Sequence, residues 1–187
     1  MSRPLNVVAV SGGTWRPSRT LVLTQAIVAQ LGELLPIRAQ VIELTDIARP
    51  LGAALSRQEA AAEVEASLAA IENADLLIVA SPVYRGSYPG LLKHLFDLVD
   101  LNALIDTPVL LAATGGSDRH ALVLDHQLRP LFSFFQALTL PIGVYATEAD
   151  FSNYQITSEL LQARIRLAAE RAAPLFGGLS NHLLKIA

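Results

Sequence analysis

Five short apolar runs, at residues 5–10, 39–44, 76–80, 109–113 and 142–146, recur along the chain, with helix-length segments between them. That alternation is the strongest constraint on the fold. Parallel strands cannot be joined by tight turns; they need long crossover connections, usually helices. The third run, "LLIVA", contains no polar residue, as a central strand covered on both faces requires. Helical spacing is expected over 21–35, 56–73, 89–99, 121–138 and 157–173. Ser56, with Glu59 three residues on, predicts a capped start for the second of these. The pattern is that of an open, doubly wound α/β domain with a five-stranded parallel sheet. No repeat, low-complexity tract or long linker divides the 187 residues, so a single domain over residues 1–187 is expected.

Composition narrows what such a domain does. Apolar residues make up 52% and charged residues 17% of the chain, which excludes a disordered polymer and points to subunit contacts beyond the core. A net charge of -3 gives no general attraction to nucleic acid or anionic lipid. The chain has no cysteine, so neither disulfides nor thiolate chemistry is available, and no metal site is expected from its 4 histidines. The opening "MSRP" runs straight into a strand, and no segment is apolar enough to span a bilayer. A cytoplasmic protein without a leader is expected.

Ligands in this fold class bind beyond the carboxyl ends of the strands. Three such loops read "SGGTWRPSRT", "SPVYRGSYPG" and "TGGSDRH". Each begins with a hydroxyl residue and each contains glycine. The first lacks the lysine of a mononucleotide P-loop and the GxGxxG of a dinucleotide fingerprint. What it offers is an anion nest: hydroxyls of Ser11, Ser18 and Thr20, a guanidinium from Arg16 or Arg19, and the free amides of the helix that follows. A phosphate monoester fits it; the alternative is that Ser18 and Thr20 only cap the helix while the arginines face water. In the second loop, Pro82 restricts the chain ahead of Val83, Tyr84 and Arg85, so backbone groups and an amphipathic ring could address a flat heterocycle. In the third, Gly115 and Gly116 permit close approach. Phosphate at one loop and a planar ring between two others describes flavin mononucleotide, although a half-buried Tyr84 and a plain glycine turn remain the simpler alternatives.

With these blocks in view, the sequence resembles the NAD(P)H-dependent FMN reductases of the flavodoxin-like superfamily, over residues 5–175. Within them it is most similar to the sulfonate-utilisation reductases that supply reduced FMN to two-component monooxygenases. "SPVYRGSYPGLLKHLFDLVD" and "ATGGSDRHALVLDHQLRP" carry most of the likeness, and His126 in "LDHQLRP" points to the methanesulfonate-linked branch. The resemblance implies that Ser11, Arg16, Ser18, Arg19 and Thr20 surround the FMN phosphate and that Pro82, Val83, Tyr84 and Arg85 line the ring. It implies that Gly115, Gly116 and Ser117 approach the pyrimidine edge or the nicotinamide site. The opening "SGGTWRP" departs from the commoner "SGSPR" style, which leaves the bonding around Gly13 and Thr14 undefined.

The implied activity is NADH-dependent reduction of FMN, with NADPH as a further donor, and delivery of free reduced FMN to an FMNH2-dependent sulfonate monooxygenase. The flavin carries the hydride chemistry, so no catalytic acid or base is assigned. Rival readings are a quinone or azo-compound reductase that retains FMN, an electron-carrier flavodoxin, and a protein that binds no flavin. Arg16, Arg85 and Arg119 leave the choice of nicotinamide open.

Assembly is expected too, as a homodimer or homotetramer. Leu131, Phe132, Phe134, Phe135 and Leu138 cover more than one helical face, more than one sheet can bury. Pro130 has no N–H, so the carbonyl of His126 loses its ordinary helical partner, and the helix must kink, widen or satisfy it elsewhere. The resemblance implies a π-helical bulge at His126 on a tetramer interface. His94 is expected to face solvent, and the tail "GGLSNHLLKIA", with His182, to dock on another subunit.

Overall fold

The computed structural model describes residues 3–176. Four parallel strands, β1 (Leu5–Ser11), β2 (Ile37–Glu43), β3 (Leu76–Pro82) and β4 (Pro108–Gly115), lie in the order β2-β1-β3-β4. The fifth position is split between β5 (Leu138–Thr139) and β6 (Val144–Thr147), both parallel to β4. The chain leaves β1 for the edge at β2 and crosses back to β3, so the strand order reverses between β1 and β3. The carboxyl ends of those two strands open the crevice where this flavodoxin-like topology binds ligands.

Strand alternation sends side chains to two cores. Val7, Ala9, Leu76, Ile78, Leu110 and Ala112 meet α1 (Arg19–Leu34) and α6 (Glu159–Ala172) on one face. Val8, Val10, Leu77, Val79, Val109 and Leu111 meet α2 (Leu44–Ala53), α3 (Ala62–Glu72), α4 (Gly90–Asp97) and α5 (Arg129–Phe134) on the other. Ser18 and Ser158 cap α1 and α6, accepting from the amides of Leu21 and Leu161 at 3.2 Å.

Several elements differ from the sequence expectation. Helix α2, which has Pro50 inside it, was not among the expected helices. Its buried Leu44, Ile47 and Leu51 share one face, and packing on the sheet overrides the local penalty. The helix expected over 56–73 begins later: Arg57–Glu59 form a 3-10 turn, and Ser56 makes no side-chain cap. Instead the Glu59 carboxylate accepts from the Leu55 amide at 3.0 Å. The helix expected over 121–138 is divided. Leu124–Leu128 are π-helical, as the resemblance implied for His126, α5 is α-helical, and Leu138 has already joined the sheet. His94 does not face solvent; its Nε2 lies 3.0 and 2.8 Å from the carbonyls of Leu51 and Ala54, tying α4 to the end of α2. A hairpin of β7 (Phe151–Ser152) and β8 (Gln155–Ile156) follows β6. The tail and His182 lie outside the described residues.

Candidate active site

The loop after β1 is fastened on both sides. The Gly12 amide donates to the Ala80 carbonyl at 2.7 Å, and the Thr45 hydroxyl donates to the Gly13 carbonyl at 3.1 Å. A Cβ at Gly13 would stand 3.0 Å from Ser18 Oγ, so the turn closes onto that hydroxyl only without a side chain there. Ser18 is a cap, and it is more than one. Its oxygen accepts from Leu21, while its O–H hydrogen remains free to donate. The amides of Arg19 and Thr20, in the first turn of α1, have no intrahelical acceptor. Hydroxyl, amides and the Arg19 guanidinium therefore present donors at the positive end of a helix.

The loop after β3 is a tight two-residue turn. Tyr84 and Ser87 exchange both backbone bonds, at 2.8 and 3.1 Å, around Arg85 and Gly86, whose φ values of 54° and 86° are both left-handed. The Val83 amide donates to the Thr114 carbonyl at 2.8 Å. The amides of Val83 and Tyr84 are thus already spent, one on β4 and one inside the loop, and what the loop presents is the apolar surface of Pro82, Val83 and the Tyr84 ring. After β4, Tyr145 Oη donates to the Ser117 carbonyl at 2.7 Å and pins the glycine turn.

These loops close on one cavity of about 220 Å³. Ser18, Arg19, Thr20, Pro82, Val83, Tyr84, Gly115 and Gly116 line it together. Ser11, Arg16, Arg85 and Ser117 are not in its wall. Ser11 is buried at the end of β1. The Arg16 guanidinium turns toward α2, donating to Glu43 at 2.7 Å and Asp46 at 2.8 Å, and these carboxylates raise its pKa further. Arg85 sits at the tip of its turn, and the Ser117 carbonyl is taken by the Tyr145 hydroxyl. Gly13, Trp15, Pro17, Thr114, Glu148 and Tyr154, none of them assigned to the site from the sequence, complete the lining. Glu148 and Tyr154 follow the fifth strand, at the same carboxyl edge as the other loops; applying the strand-end rule to "TEADFSNY" would have found them.

The donor set fits a phosphate monoester, and the apolar wall between the β3 and β4 loops fits a flat ring. A Cβ at Gly116 would meet nothing within 4 Å, so this backbone faces open space in which a ring edge can approach. Among the described residues no group of histidines and carboxylates is placed to hold a metal, and no helix is long and apolar enough to cross a membrane.

Comparison with known proteins agrees with this chemistry. A family model described as NADPH-dependent FMN reductase matches residues 5–151. A Pseudomonas fluorescens protein named NADH-dependent FMN reductase SfnF is 83% identical over 187 residues, 100% of both chains. A Pseudomonas aeruginosa protein named FMN reductase (NADPH) is 79% identical, again over 100% of both. Among solved structures, an oxidoreductase from Corynebacterium diphtheriae matches with a TM-score of 0.80 at 33% identity, covering 93% of this chain and 97% of that one.

Proposed function

This chain belongs to the NADPH-dependent FMN reductase family, and from that premise we propose that it is the reductase half of a two-component system, releasing reduced FMN to a separate sulfonate monooxygenase. Its activity is that of an oxidoreductase using a reduced nicotinamide and FMN. When bound, FMN supplies the hydride acceptor.

The chain's own residues bind and orient. The Ser18 hydroxyl, the Arg19 guanidinium and the first amides of α1 hold the phosphate, with Thr20 packed beneath them. Pro82, Val83 and Tyr84 form the apolar side of the ring site, and hydrogen bonding to the ring is left to the backbone at Gly115 and Gly116. No side chain in the wall needs to deliver a proton for hydride transfer, so none is assigned as catalytic.

The observation that supports release rather than retention is the open rim of the cavity, where Trp15 is 76% and Tyr84 40% exposed. A site of this kind suits flavin as a travelling substrate. The Sfn name of the 83% identical relative supports a place in sulfonate metabolism. We assign NADH as the donor after that relative; the 79% identical one carries the NADPH name, so both are assayed.

Assembly belongs to the same proposal. A groove of about 640 Å³ runs between α4 and the π-helical turn, lined by Phe96, Leu101, His126, Pro130, Phe134 and Phe135. Phe134 is 66% exposed in the single chain. An apolar surface of this kind is expected to be covered by further copies, as a dimer pairing into a homotetramer.

The test is steady-state turnover with FMN, FAD and riboflavin against NADH and NADPH, followed by anaerobic ultrafiltration of the reduced mixture. Reduced FMN in the filtrate supports the proposal. Flavin that stays above the membrane while an added quinone is reduced overturns it.

A further inference from the structure

The guanidinium facing the phosphate site is already engaged. Arg19 Nη1 donates to Glu148 Oε1 at 2.6 Å, and the Arg19 guanidinium carbon lies 5.7 Å from the centre of the Tyr154 ring. All three side chains line the same cavity. They come from three separate segments: the first residue of α1, the 3-10 turn Glu148–Asp150, and the tip of the β7–β8 hairpin.

Each partner is held in place by its own local structure. Asp150 Oδ2 accepts from the Thr147 amide at 2.7 Å and from the Thr147 hydroxyl at 3.0 Å, a reciprocal cap that fixes the turn bearing Glu148. Asn153 and Tyr154 have φ values of 46° and 59°. A left-handed conformation is costly for a ring-bearing residue, and the paired strands hold Tyr154 in it. The backbone segments that bear the carboxylate and the ring are thus fixed beside Arg19, while the Glu148 side chain itself is 61% exposed.

A carboxylate is an adverse neighbour for a phosphate. It neutralises the one cation that the described residues bring to the wall when the site is empty, and it repels the dianion when the site is filled. We propose that Glu148 is a specificity-setting residue that holds down affinity for the phosphate of FMN by competing for Arg19, so that the flavin exchanges between turnovers. The inference rests on the reading of the Ser18–Arg19 end of the cavity as the phosphate site. A carboxylate near a helix N-terminus also stabilises the helix, so the experiment must separate competition from simple support.

Glu148→Gln keeps the size and the acceptor oxygen and removes the charge. Titration of the full chain with FMN and with riboflavin, followed by flavin fluorescence, reads the effect. Competition predicts FMN binding tighter by about two- to fivefold, with riboflavin unchanged and the KM for FMN lowered. Unchanged or weaker FMN binding overturns the proposal, as does an equal shift for both flavins, which a supporting role would give. Arg19→Gln tests the underlying reading separately. If it weakens FMN and spares riboflavin, the phosphate site stands however Glu148→Gln behaves; if the ratio between the flavins stays at the parent value, that reading has failed and the inference with it.

Discussion

The hydroxyls of Thr20 and Thr114 lie 2.6 Å apart in the interior, at 3% and 8% exposure, joining the second residue of α1 to the end of β4. The Thr114 carbonyl also accepts the Val83 amide. One residue of β4 therefore holds both the helix of the phosphate end and the loop of the ring end. Thr20→Val leaves a buried hydroxyl without its partner and should cost about 1–3 kcal/mol of stability. Thr20→Val with Thr114→Val removes both groups and should recover most of that loss. Urea unfolding of the flavin-free chain measures it; two single effects that simply add would show the pair is not coupled.

Gly115 and Gly116 are adjacent but should respond differently. A Cβ at Gly115 would collide with the Tyr145 hydroxyl and stand 3.1 Å from its ring carbon Cζ. The ring can retreat only by giving up its bond to the Ser117 carbonyl. Gly115→Ala should therefore cost about 1–3 kcal/mol, partly recovered in combination with Tyr145→Phe. Gly116→Ala meets open space and should unfold like the parent while binding FMN more weakly. Equal stability of the two alanine variants would show that Tyr145 does not confine Gly115.

Tyr145 also gives the molecule a pH dependence at the alkaline end. Its pKa is raised above the usual 10.0, first by desolvation and then by the charge of Asp118. A raised folded-state pKa means the neutral hydroxyl is favoured by folding. Its contribution is complete below the unfolded value and is lost as pH rises through the folded one. Between pH 7 and 9 the parent and Tyr145→Phe should show parallel stability; above about pH 10 the parent should fall more steeply. Parallel curves across that upper range would exclude Tyr145 as the source.

Trp15 provides a direct report on the site. It is the single tryptophan of the chain, 76% exposed, and it lines the cavity. The free protein should emit at the long wavelength of a solvated indole, and FMN should quench that emission as the rim is covered. Emission unchanged at saturating FMN would place the flavin away from this rim.

Much of this architecture could be read from periodicity, because buried parallel strands leave an uninterrupted apolar signature. "LLIVA" is such a run. The clearest miss is α2, whereas the widening at His126, expected from Pro130 and from the resemblance, is present. An apolar stripe records burial and not the hydrogen-bonding period beneath it. Leu44, Ile47 and Leu51 form a helix despite Pro50. Leu124, Leu128 and Phe132 keep one buried face through a change from π to α winding. At the site, hydroxyl and glycine types marked the right loops, but not what each side chain was committed to. Arg16 and Arg19 are three residues apart in sequence; one turns to Glu43 and Asp46, the other to the cavity.

The π-helical turn joins the proposed assembly face to the flavin loop, and removing one residue should disturb both. The Arg129 amide reaches back five residues to the Leu124 carbonyl, so Asp125, His126 and Gln127 bulge outward as an exposed triplet between buried Leu124 and Leu128. His126 and Gln127 form part of the groove beside Phe134. Gln127 Oε1 also accepts from the Ser87 hydroxyl at 3.0 Å, and Ser87 is the residue that closes the turn behind Tyr84. Deleting His126 should draw the bulge back toward α-helical spacing, a rotation of about 100° per residue. Phe132 resists rotation on the downstream side, since its ring packs edge-on against Phe96 at 4.9 Å. The strain therefore falls on Gln127 and on the groove wall. The expected result is a smaller assembly in light scattering at micromolar concentration, together with a higher KM for FMN. Gln127→Ala separates the two effects, because it cuts the link to Ser87 without shortening the turn: assembly should persist while the KM for FMN rises. A His126 deletion variant that keeps the parent's assembly and its turnover of free FMN would show that the bulge couples nothing.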